Sequence, residues 1–151
     1  MESQSYSCDR GETMEYLPID SKDRELIEAA IDVIRRNYKE GRHSVGAAVL
    51  CSSGEIYTGV NIDSSGYGPC AEPIAIGAAV SHGEREFLSI VAVGGWEESY
   101  PLMSPCGNCR QMLIDYAPEA MVILEHNGKP VKTKASNLLP SAYRHRETSY
   151  C

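Results

Sequence analysis

Three cysteines and one glutamate carry the chemistry of this chain. Cys70 and Glu72 flank Ala71, and far downstream Cys106 and Cys109 stand in the run Pro105, Cys106, Gly107, Asn108, Cys109. Three thiolates can hold a zinc-type ion through three protein ligands and leave a fourth position for water, while a nearby carboxylate carries protons to and from that water. The Cys-x-x-Cys pair by itself reads equally well as a redox pair at a helix start. The upstream Cys70-Ala71-Glu72 tips the reading toward metal. A closed structural site would need a fourth ligand, from Cys51 or from His43, His82, His126 or His145, and none of them stands at short spacing. Each histidine alone reads as a surface or satisfied residue, and Glu72 alone as a solvated carboxylate at a helix start.

The elements that position these residues alternate between helical and extended periodicity. Residues 21–40 place Leu26, Ile27, Ala30, Ile31, Ile34 and Tyr38 on one stripe of an amphipathic helix, with Asp23 and Glu25 near its positive end. Residues before it read as a loose tail. Runs 44–51 and 55–60 are strand-like and joined through Ser52, Ser53 and Gly54 as a hairpin. Residues 61–69 form a loop in which Gly66 and Gly68 permit close backbone approach to a ligand or make a plain turn.

From Cys70, the pattern Ala71, Ile74, Ala75, Ala78, Ala79 predicts a short buried helix, with Pro73 tolerated in its first turn. Run 88–94 reads as a buried strand, and Cys106 opens a helix through Tyr116 with Met112, Leu113 and Tyr116 inward. A buried strand over 121–124, a turn at Asn127 and Gly128, and a helical turn over 135–139 closed by Pro140 complete the chain. The alternation predicts a layered α/β domain, an antiparallel hairpin followed by parallel strands. Cys70, Cys106 and Cys109 then sit at two helix starts, where backbone N–H groups and the helix dipoles favour thiolates. Glu72 reads as the general acid and base rather than as a ligand.

The 151 residues, 42% hydrophobic and 23% charged, suffice for one core and not two. Residues 1–14 have neither a basic start nor an apolar run, and no segment approaches the roughly 18 apolar residues of a membrane helix. A cytoplasmic protein without a membrane partner is expected. Cys8, Cys51 and Cys151 read as ordinary free thiols of a reducing compartment. The net charge of −7 gives no footing for a nucleic acid polymer, whose binding rests on Lys and Arg, so a small-molecule substrate is favoured.

Over about 44–143 the chain resembles the cytidine deaminase family. The resemblance is carried by Val45 to Ala48, Gly59 to Asn61, Cys70 to Glu72, Pro105 to Gln111 and Leu138 to Pro140. The runs 68–72 and 138–143 look most like its blasticidin S deaminase branch. The resemblance implies a three-layer α/β/α domain over 21–143, with a mixed sheet of about five strands between tails 1–20 and 144–151. It implies Zn2+ on Cys70, Cys106 and Cys109, with Glu72 moving protons while the cytosine ring of a nucleoside or nucleoside antibiotic is hydrolysed to uracil and ammonia. It further implies a homotetramer, and substrate contacts at Asn61, Asp63, Ala71 and Tyr143. A noncatalytic zinc or thiol-redox module, or a deaminase of another base or of a polynucleotide, is the alternative.

Three positions depart from the family pattern. Pro73 stands where many three-cysteine members place an arginine that offsets thiolate charge, leaving helix dipoles or Arg110 to do so. Asn61-Ile62-Asp63 replaces Asn-x-Glu and shortens the carboxylate by one C–C bond, about 1.5 Å. His43 stands where an aromatic residue often precedes the first strand.

Overall fold

The computed structural model describes residues 14–144. Its elements are β1 (Leu17–Pro18), α1 (Ser21–Asn37), β2 (Val45–Cys51), β3 (Ile56–Val60), α2 (Ala71–Ser81), β4 (Phe87–Gly94), α3 (Gly107–Tyr116), β5 (Met121–His126) and β6 (Lys129–Lys134), followed by a 3-10 turn, Ala135–Leu138. One six-stranded mixed sheet runs in the order β1-β6-β5-β4-β2-β3. Alternate residues of its central strands face opposite ways. Ala48, Val91, Val93 and Ile123 pack on Leu26, Ala30 and Ile34 of α1. Ala47, Val49, Ile90, Ala92, Val122 and Leu124 pack on α2 and α3. The expected three-layer α/β/α domain is therefore present, with six strands rather than about five.

Strand direction explains why the two cysteine-bearing helix starts meet. β2 is antiparallel to both β3 and β4, so β3 and β4 run the same way and end on the same edge of the sheet. Each then leads through a loop to a helix that begins at a cysteine. The two strands expected after the hairpin, now β4 and β5, do pair parallel, and what the sequence did not indicate is that β4 joins the hairpin antiparallel to β2. Gly59 lets α2 lie directly on β3: a Cβ there would stand 2.6 Å from the Ala75 nitrogen and 2.9 Å from the Ala71 oxygen.

The sequence missed both outer strands beside β5. β6 returns from β5 through Asn127 and Gly128, whose φ values of 51° and 75° are those of a tight hairpin turn. β1, at the inner end of the expected tail, pairs with β6. The adjacent start of α1 is fixed by a reciprocal capping box between Asp20 and Asp23, and Lys132 of β6 bonds both carboxylates, at 3.0 and 2.6 Å. Cys8, His145 and Cys151 lie outside the described residues.

Helix faces needed smaller corrections. In α3 the inward residues are Cys109, Leu113 and Ile114, while Tyr116, expected inside, is 61% exposed. The row Cys109, Leu113, Ala117 follows an i, i+4 spacing that turns Tyr116 outward. In α1, Tyr38 lies past the helix end and is exposed, with Val33 buried instead.

Candidate metal centre

Cys70 is the N-cap of α2 and Cys106 the N-cap of α3, each preceded by a proline and each extended, with φ/ψ of −64°/168° and −68°/170°. A residue before proline is held in extended backbone, and the N-cap that follows releases the chain into the helix with its orphan N–H groups open. Cys109 lies one turn into α3 and is fully buried. The sulfurs of Cys70, Cys106 and Cys109 all lie within 4.8 Å of one another, and Cys70 Sγ is 3.6 Å from Cys106 Sγ. Zinc–sulfur bonds of about 2.3 Å in tetrahedral arrangement separate sulfurs by about 3.8 Å, so this donor set fits zinc in both spacing and softness. Among the described residues no fourth cysteine or histidine joins the group. Cys51 sits in the core, its thiol pushed up to about 11 by burial and by Glu84 and Glu55.

Glu72, the second residue of α2, is 6% exposed. Burial raises its pKa, against its own backbone N–H and the Cys109 thiol, which hydrogen-bond its charged form. Burial likewise drives Cys109 far up, helped by the negative charge of Glu72. The two N-cap thiols move in opposite directions. Burial, Cys106 and Glu72 raise Cys70, whereas Cys106 is also pushed up by burial but ends lower, because the N–H groups of Cys109 and Asn108 stabilise its thiolate.

Cys70, Glu72 and Cys106 open onto a cavity of about 240 Å³. Asn61, Asp63 and Ala71, read from the sequence as substrate contacts, line it too. Tyr143 does not. It is 71% exposed, and its carbonyl accepts a hydrogen bond from Gln111 Nε2 at 3.0 Å. The sequence reading missed Met103 and Ser104, which also line it. Their signal was Pro105, which forces the residue before it into extended backbone beside the ligand.

Asn61 is fixed in one orientation. Its Oδ1 accepts the backbone N–H groups of Ser44 at 2.7 Å and Val45 at 2.9 Å, so the amide has only donors left to offer. His43 is not a cavity residue; its ring Nδ1 donates to the Asn61 carbonyl at 2.8 Å. Gly68 packs on the Ile62 carbonyl, where a Cβ would come within 3.0 Å. Arg110, considered as a counter-charge, gives its N–H groups to three uncharged oxygens and none to a sulfur.

Comparison with known proteins gives a consistent result. Residues 20–125 match the family model described as the cytidine and deoxycytidylate deaminase zinc-binding region. The chain is 42% identical to the blasticidin-S deaminase of Bacillus cereus over 137 residues, covering 86% of this chain and 98% of that protein. It is 38% identical to the cytidine deaminase of Sporosarcina psychrophila over 110 residues, covering 70% and 79%. Among solved structures, the cytidine deaminase of Burkholderia pseudomallei superposes with a TM-score of 0.66 at 34% identity, covering 80% of this chain and 98% of that one.

Proposed function

Because the chain belongs to the cytidine and deoxycytidylate deaminase family, we propose that it is a zinc-dependent hydrolase that converts the cytosine ring of a free nucleoside, or of a nucleoside antibiotic of the blasticidin S kind, to uracil with release of ammonia. The observation that carries this reading is the cluster of three sulfurs, two of which, Cys70 and Cys106, line a single cavity together with the buried Glu72 carboxylate. Cys70, Cys106 and Cys109 would hold the metal, which when bound lowers the pKa of water toward about 7 and so supplies a nucleophile at neutral pH. Glu72 would take one proton from the attacking water at its carboxylate oxygen and pass it to the ring nitrogen, then carry the water's second proton, from the added hydroxyl, to the departing amine as the C–N bond breaks and the C4 carbonyl forms. Burial raises the Glu72 pKa above the ordinary carboxylate value, the direction that favours a group which must hold a proton as well as accept one. Ala71 offers an N–H at the open start of α2, Asn61 offers its amide donors, and Asp63 offers an acceptor to a hydroxyl or cationic substituent.

The same wall supports a substrate without phosphate. Asp63 and Glu72 are the charged residues that line the cavity, and no lysine or arginine lies among its lining residues. A phosphate would meet two carboxylates and no counter-charge. The net charge of −7 extends that argument to polynucleotides. Among the described residues no helix is long and apolar enough to cross a membrane, and the free thiols suit the reducing cytoplasm. Apart from buried Glu72, α2 bears no charged side chain, and Pro73, Ile74, Ala78 and Val80 remain partly exposed along it. That apolar face supports packing against further copies in a homotetramer.

An ultraviolet assay of cytidine, deoxycytidine, deoxycytidylate and blasticidin S tests the reading. Expected is conversion of at least one unphosphorylated compound to its uracil form, with deoxycytidylate slower by about 100-fold or more, the scale of a few kcal/mol. Zinc-loaded protein that deaminates none of them would support the noncatalytic module instead.

A further inference from the structure

We infer that Arg110 is the positioning residue of the metal centre, a clamp that fixes the Ser104-Pro105-Cys106 approach rather than a counter-charge for the sulfurs. The inference rests on the reading that Cys106 is a zinc ligand. After Met103, whose N–H bonds the Ala92 carbonyl of β4 at 2.8 Å, the chain leaves the sheet. Its next backbone hydrogen bond is made at the Cys106 carbonyl, by the Arg110 N–H at 2.9 Å. Pro105 has no N–H to contribute.

Across that gap Arg110 supplies the tethers. Nε donates to the Pro105 carbonyl at 2.8 Å, one terminal nitrogen to Ser104 Oγ at 3.1 Å, and the other to the Leu138 carbonyl at 3.0 Å. One planar guanidinium therefore joins α3, the segment entering the ligand, and the 3-10 turn Ala135–Leu138. The segment it holds includes Ser104 and Cys106, which line the cavity. Lysine carries the same charge, but one ammonium on a flexible stem cannot reproduce a fork spread over three acceptors in different directions. The charge and clamp roles are thus separable by substitution.

The test is zinc release from the full-length protein into a chromogenic chelator, with the cobalt-substituted spectrum as a second readout. Arg110→Gln is expected to release zinc about 10-fold faster and to shift the thiolate-to-cobalt charge-transfer band, since groups that orient metal ligands are typically worth about 10–100-fold in affinity. Arg110→Lys should resemble Arg110→Gln, and Ser104→Ala, which deletes one acceptor and spares the fold, should show a smaller acceleration. Wild-type release and spectrum in Arg110→Lys would overturn the clamp in favour of charge. Unchanged release in all three variants, with a lowered melting temperature, would overturn it in favour of a purely structural role. A wild-type protein that takes up no zinc would overturn the underlying reading and this inference together.

Discussion

The starts of α2 and α3 are built alike and do different work. Both follow a proline, both place a cysteine at the N-cap in nearly identical backbone, and both leave N–H groups open toward the same cluster. At α2 the second residue is Glu72, buried, and its charge helps raise the Cys70 thiol. At α3 the second residue is Asn108, whose backbone N–H helps lower Cys106, and the next turn brings Cys109 and the Arg110 clamp. On the proposed reading the α3 start contributes two metal ligands, Cys106 and Cys109, and the α2 start one ligand, Cys70, with Glu72 as the proton carrier beside it. A shared capping geometry can thus serve either task, and the residues one to four positions inside the helix decide which.

Substitutions at the two starts should separate these tasks. The largest expected effect is at α3, where Cys109→Ala removes the buried ligand and should abolish both zinc content and turnover, read by metal analysis and ultraviolet assay. At α2, Glu72→Gln should retain zinc while kcat falls by about 10²–10⁴-fold. Zinc loss in Glu72→Gln, or full turnover in it, would break the division of labour.

A smaller effect is expected away from both starts. Asp63→Ala should raise KM by about 10–100-fold with kcat little changed, the scale of a hydrogen bond to a charged group. An effect on kcat alone would remove Asp63 from substrate binding.

The smallest effect belongs to the opposite edge of the sheet, where charges serve stability only. Lys132→Met leaves buried Asp23 without its cation and should cost about 2 kcal/mol, or about 4–8 °C in melting temperature. Asp20 is held below its ordinary 3.8 first by the Asp23 backbone N–H and then by Lys132. Its contribution is therefore present above 3.8 and lost as pH falls through the depressed value. Burial pulls Lys132 down, but the hydrogen bonds to Asp23 and Asp20 outweigh it and raise its pKa. That contribution is complete below 10.5 and lost as pH rises through the raised value. Melting curves from acid to neutral pH should show the two proteins converging at the acid end.

The contrast between these regions also explains what the sequence revealed. Cysteine spacing, a proline before each N-cap and the apolar run of α2 are local signals, so Cys70, Glu72, Cys106 and Cys109 could be read together with the helices that carry them. β6 was hidden because Lys129-Pro130-Val131-Lys132-Thr133-Lys134 has little apolar alternation and only Thr133 buried. β1 was hidden because two residues make no period. The antiparallel pairing of β4 with β2 is a tertiary choice that local pattern does not encode. Met103 and Ser104 entered the cavity wall through a second such choice, since the segment leading to Cys106 runs back along β4 from the Val93–Leu102 bridge. Tyr143, named from resemblance rather than from local chemistry, lies outside the cavity of this chain.

Reconstitution of metal-free protein tests the central claim most directly. Deamination of a cytosine nucleoside should be absent without metal and should rise linearly with added zinc until one ion is bound per chain. Turnover by the metal-free protein, or one bound zinc with no deamination of any cytosine nucleoside or antibiotic, would contradict it.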